Sequence, residues 1–124
     1  MKLTNRRRAD MMKQKGGELM IVLDTETYLD TVCRMLAEGC EAVPVPIRGV
    51  SMRPFLRDGD FAYMIALPER IQAGDILLYQ RDNNRYVLHR VHKIGKDGSL
   101  LLLGDSQLMP ERVARHQLRA KAAF

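Results

Sequence analysis

Apolar residues recur at helical spacing over residues 25–38, where Tyr28, Leu29, Val32, Cys33 and Leu36 fall on one side, with Asp24 or Thr25 able to cap the start and Gly39 to stop the end. One amphipathic helix is predicted there. The period then falls to two: Val43, Val45 and Ile47 alternate with Ala42, Pro44 and Pro46, and prolines, lacking an N–H, confine such a segment to an edge strand or an extended approach. Four more apolar, partly β-branched stretches follow, at 60–66, 75–80, 85–94 and 99–103. Gly59-Asp60, Gly74-Asp75, Asp82-Asn83-Asn84 and Lys96-Asp97-Gly98 punctuate them as turns. Short antiparallel strands and hairpins fit this pattern, so the expected fold is mainly β with one N-terminal helix. The end, 117–124, reads either as a closing strand or as a helix continued from Glu111, and its alanines and arginines favour helix on propensity alone.

Length and charge refine the picture. A chain of 124 residues buries roughly two-thirds of its unfolded surface, enough for one core without disulfides or metals, so residues 18–124 are expected to form a single domain. Residues 1–17 hold six Lys or Arg against Asp10, while the remainder balances 14 cations against 14 acids. Positive charge confined to one polar arm predicts a flexible tail and argues against a nucleic-acid partner, which would need cations spread over the folded surface. The longest apolar stretches, 19–23 and 100–103, fall far short of the ~20 residues that span a bilayer, and the first is too short for a secretory leader. A cytoplasmic protein without a membrane span is expected. Cys33 and Cys40 lie seven apart, about 10 Å of helical rise and too far to bridge, which suits two reduced thiols. With His89, His92 and His116 scattered, no metal site and no cofactor are expected.

Candidate chemistry centres on Ser51 in Arg48-Gly49-Val50-Ser51-Met52-Arg53-Pro54, with His89-Arg90 following 38 residues later in an apolar run. A serine hydroxyl is a weak nucleophile at neutral pH and needs a base for its proton and backbone donors for the oxyanion. Gly49 permits close backbone approach, the main chain around Val50, Ser51 and Met52 offers N–H groups, and Pro54 ends pairing so that the loop stays open. These four flanking residues are the oxyanion or substrate-binding candidates. Alternation over 85–94 places Val87, His89 and Val91 on one face and Tyr86, Leu88, Arg90 and His92 on the other. His89 therefore faces an apolar side, where desolvation keeps the imidazole neutral and able to accept a proton. Two acids downstream, Asp105 and Glu111, are each available to orient it. Asp58, Asp60 and Asp75 are assigned to turns.

Taken together, Gly49-Val50-Ser51-Met52-Arg53-Pro54, Gly59-Asp60, Gly74-Asp75, His89-Arg90 and Gly104-Asp105 resemble, in order, the motifs of the clan that includes type I signal peptidases and the self-cleaving SOS-type repressors. The likeness covers 43–113. Bacterial signal peptidases and the repressors carry lysine at the base position and the archaeal and endoplasmic-reticulum type carries histidine, so the chain is most similar to the Ser-His branch. That resemblance implies coiled antiparallel sheets, a Ser51 nucleophile with a His89 base, and an extended peptide or protein substrate added as a strand beside the serine. It also implies an aspartate six residues beyond Asp105, where Glu111 stands, and asparagines where Ser106-Gln107 stand. Two outcomes are expected: a soluble serine endopeptidase, or a peptide-binding or regulatory module of the same fold without chemistry.

Overall fold

The prolines of β2, Val43–Arg48, show how the chain builds its sheet. In a computed structural model, which describes Lys2–Leu3 and residues 25–124, β2 pairs antiparallel with β3, Phe61–Ile65, and the Ile47 N–H donates to the Asp60 carbonyl. Odd-numbered residues of β2 thus bond toward β3. Even-numbered ones, Pro44 and Pro46 among them, face the outer edge, where a missing N–H leaves no ladder bond broken. Among the described residues a further strand pairs at the end of that edge, the two-residue β1, Lys2–Leu3, opposite Arg48 and Ile47. Two residues of the arm expected to be a tail therefore lie in the sheet; the other positions before 25, Asp24 included, lie outside the described residues.

From β3 the sheet continues through β8, Leu118–Ala123, to β4, Ile76–Gln80, β5, Tyr86–Ile94, β6, Leu100–Leu103, and β7, Glu111–Val113. All neighbours are antiparallel and the sheet curls into a half-barrel. The C-terminal segment settles the choice left by its sequence: it is a central strand, not a helix. Leu118, Ala120 and Ala122 are buried in alternation while the β8 backbone pairs with β3 on one side and β4 on the other, so sheet pairing and burial override alanine's helix propensity. Glu111, the expected start of that helix, opens β7 instead, and a single 3-10 turn, Arg115–Gln117, links β7 to β8.

Among the described residues one α-helix, α1, spans Thr25–Ala37 and sets Leu29, Val32 and Leu36 into the core. It ends in a Schellman motif, with Cys40 N–H on the Met35 carbonyl and Gly39 N–H on that of Leu36, which requires Gly39 at φ +105°. Strands β4 and β5 are apolar on both faces and divide two clusters. Ile76, Leu78, Tyr86 and Leu88 join the helix in one; Leu77, Tyr79, Val87 and Val91 join Leu100, Leu102, Val113 and Leu118 in the other. The face of β5 carrying Tyr86 and Leu88 is therefore as dry as that carrying His89, and only its far end, at His92, is exposed. No described helix is long and apolar enough to cross a membrane.

Candidate active site

Two turns of like design flank the Ser51 loop and the strand behind it. In each Gly-Asp pair the aspartate takes an N–H from three residues back: Asp60 from Arg57 at 2.8 Å and Asp75 from Gln72 at 2.9 Å. Asp58 accepts the Gly49 N–H at 3.1 Å. All three acids thus belong to turns, as their sequence settings suggest. Ahead of them the chain turns tightly after Ser51, with Leu56 N–H bonded to the Met52 carbonyl at 2.9 Å. Like the first amides of a helix, the N–H groups of Ser51 and Met52 make no hydrogen bond among the described residues.

The Gly104-Asp105-Ser106 loop holds the Ser51 loop from one side. Ser106 donates its N–H to the Ser51 carbonyl at 2.8 Å and its hydroxyl to the Val50 carbonyl at 2.6 Å. Gly104 packs so closely that a Cβ there would meet the Ser51 carbonyl oxygen at 2.6 Å and the Ser51 Cβ at 3.0 Å. Any side chain at 104 therefore displaces the serine.

Ser51 Oγ is buried and makes no hydrogen bond among the described residues. Such a hydroxyl is left at a cost of about 1–3 kcal/mol, so its persistence asks for a reason. It lines one cavity, about 330 Å³, with His89, Arg48, Gly49, Val50, Arg81, Arg85, Tyr86, Val87 and Gln107. Ser51 and His89 thus line one cavity, although the hydroxyl does not bond the imidazole.

His89 is 2 % exposed. Burial, the largest influence, pushes its pKa down from the ordinary 6.5 to about 4, so the ring is neutral at pH 7. Its Nδ1 lies 3.2 Å from the Tyr79 hydroxyl, which donates its own proton to Glu111 Oε1 at 2.9 Å. The phenolic oxygen is therefore the acceptor, Nδ1 carries the imidazole proton, and Nε2 is the basic nitrogen. Arg81 grips Glu111 with both arms of its fork, Nε to Oε2 at 3.0 Å and Nη2 to Oε1 at 2.7 Å. That fork, first among its influences, holds the Glu111 carboxyl below the usual range. Burial first, then the bond to this carboxylate, pushes the Tyr79 phenol far up, so it remains a donor.

Of the two acids proposed from sequence to orient His89, neither touches it. Glu111 acts through Tyr79. Asp105 bonds Arg90 instead, Nε to Oδ1 and Nη2 to Oδ2 both at 2.8 Å, while Arg90 Nη1 reaches the Gly74 carbonyl and its guanidinium stacks 5.0 Å over Phe55. Asp105 thus ties the second turn to the third loop. Among the oxyanion candidates, Gly49 and Val50 line the cavity, but the Gly49 N–H is taken by Asp58. The Met52 side chain is in the core and Pro54 is exposed, so Met52 can contribute through its backbone alone.

Tyr79 and Arg81 were not singled out by sequence. The hairpin register held the signal: with the turn at 82–84, Tyr79 falls opposite Val87 and Leu77 opposite His89, which makes Tyr79 the diagonal neighbour of His89 on one face. No group of His, Cys, Asp and Glu able to hold a metal occurs among the described residues. Compared with known proteins, the chain matches no family model and no curated protein.

Proposed function

We propose that the protein is a serine-type peptide hydrolase of the Ser-His kind that its motifs resemble, cleaving an extended peptide or protein. One observation carries this reading above the others: a buried Ser51 hydroxyl with no hydrogen bond among the described residues shares a cavity with a neutral His89 whose Nδ1 carries the proton, which makes Nε2 its basic nitrogen. In this mechanism the Ser51 side chain rotates to His89, Nε2 takes the hydroxyl proton, and Oγ attacks the substrate carbonyl carbon. Negative charge passes to the carbonyl oxygen, which the N–H groups of Ser51 and Met52, unbonded among the described residues, receive. The imidazolium then gives its proton to the departing amine, and water, deprotonated by the same nitrogen, releases the acyl group.

A resting pKa near 4 makes His89 a weak base, so the developing imidazolium needs support. The bond from Nδ1–H to the Tyr79 oxygen strengthens as the ring charges, and Glu111 polarises that phenol from behind.

The test is incubation with a diverse peptide mixture, read by mass spectrometry. Wild type is expected to cut a subset, Ser51→Ala none, and His89→Ala at least about a thousandfold more slowly, since paired residues fail together. Products that persist unchanged with Ser51→Ala would overturn the assignment. A second reading, a peptide-binding module without chemistry, draws on the absence of a bond from Ser51 Oγ to His89. It predicts peptides retained and none cut.

A further inference from the structure

We propose that the cavity selects peptides with an acidic side chain about four residues from the bond that is cut, and that Arg85 is the residue that reads it. The inference rests on the hydrolase reading and names its substrate class.

Three arginines, Arg48, Arg81 and Arg85, line the cavity and no carboxylate among the described residues does. Their partners differ. Arg81 is committed to Glu111 through both arms of its fork. Arg48 stands 3.7 Å from Asp58, which already accepts the Gly49 N–H. Arg85 uses its backbone in the hairpin turn, N–H to Asn83 Oδ1 and carbonyl to Arg81 N–H, but its guanidinium makes no ion pair among the described residues. This is a local surplus rather than a general one, since beyond residue 17 the chain balances 14 cations with 14 acids.

Position gives the register. Arg85, in the turn one residue before β5, and Tyr86, Val87 and His89 of that strand all line the cavity, with Arg85, Val87 and His89 two residues apart. Four residues of strand span about 13 Å, so a peptide extended along β5 with its reacting carbonyl at His89 brings the side chain about four residues away over Arg85. A carboxylate there gains a charge-assisted bond to a donor fork that no acid among the described residues satisfies. Val87, between the two, presents an apolar floor to the intervening side chain.

The experiment takes one peptide that wild type cleaves and places Glu, Gln or Lys singly at positions two to six residues from the cut, on both sides. Cleavage is measured with wild type and binding with Ser51→Ala. Glu is expected to exceed Gln about three- to fivefold near the fourth position on one side, with Lys below Gln, and the spread is expected to collapse at about 1 M salt. Arg85→Glu reverses the Glu-to-Lys ratio, whereas Arg85→Lys keeps its sign, which separates selection from loss of folding. A flat profile at every position, or an acidic preference that survives Arg85→Glu, overturns the inference while leaving the hydrolase standing. Acid-selective binding without cleavage does the reverse, and no binding or cleavage of any peptide removes both.

Discussion

Two arginine forks grip two carboxylates in this molecule, Arg81 with Glu111 and Arg90 with Asp105, and only the first is wired to the imidazole. Bond lengths hardly differ: 2.7 and 3.0 Å in one pair, 2.8 and 2.8 Å in the other. Tyr79 makes the distinction. Its hydroxyl bridges Glu111 to His89 Nδ1, whereas Asp105 ends in a clamp on Arg90, which in turn holds the Gly74 carbonyl. A paired acid near a histidine is therefore not enough to assign it a part in catalysis; what matters is whether a donor and acceptor chain links the two.

The most severe way to break this contrast is Tyr79→Phe. Removing the bridge leaves His89 Nδ1 without the phenolic acceptor and frees the ring to take the other tautomer, which puts the proton on the nitrogen that must act as base. Turnover of a cleaved peptide is expected to fall about a hundredfold, within the range for general-base contributions. Ring ¹⁵N NMR should report a shift away from Nδ1–H at pH 7, a signature that a purely structural loss would not produce. An unchanged tautomer with full turnover would remove Tyr79 from the mechanism.

Acid titration tests the burial of the same ring. His89 falls from 6.5 in the unfolded chain to about 4 in the folded one, so between these values the unfolded chain binds a proton that the folded chain refuses. Its contribution to stability is full above about pH 6.5, declines as pH falls and is lost below about 4, by about 3 kcal/mol at most. Denaturant midpoints from pH 7 to pH 4 should decline less in His89→Gln than in wild type. Peptide turnover should hold level from neutrality to about pH 5 and drop as His89 charges; an inflection at pH 6.5 would mean that the imidazole is solvated.

How far the sequence discloses this site depends on whether a residue's role is local. Ser51 and the turns were legible because glycine, aspartate and proline act on their immediate neighbours, and His89 because it follows them in an ordered set of motifs; alternation did not distinguish it, since Tyr86 and Leu88 on the other face are as buried. Tyr79 was hidden because an aromatic in a continuous apolar run looks like core, which it also is; its hydroxyl acquires meaning only through cross-strand register. The closing strand was ambiguous for a similar reason. Ala120 and Ala122 carry a helical propensity that pairing with β3 and β4 overrules, and that pairing is a property of the assembled sheet. Asp105 and Glu111 were equal on paper because each follows a strand and has arginines within reach; the choice between them rests on where Arg81 and Arg90 emerge.

The finest test sets the two carboxylates side by side. Glu111→Gln keeps a carbonyl oxygen to accept from Tyr79 but removes the charge that polarises it, so turnover is expected to drop about tenfold with the fold retained. Asp105→Asn likewise keeps one acceptor for Arg90. Its loss should appear chiefly as about 1 kcal/mol of stability, the usual scale for a partly exposed pair, with turnover changed by less than about threefold. The prediction turns on the ratio of the two turnover losses, measured at equal fractions folded. Were Asp105→Asn the more damaging of the pair, the link to His89 would have to run through the Gly104–Ser106 loop and the position of Ser51, and the Tyr79 bridge would be reduced to a structural bond.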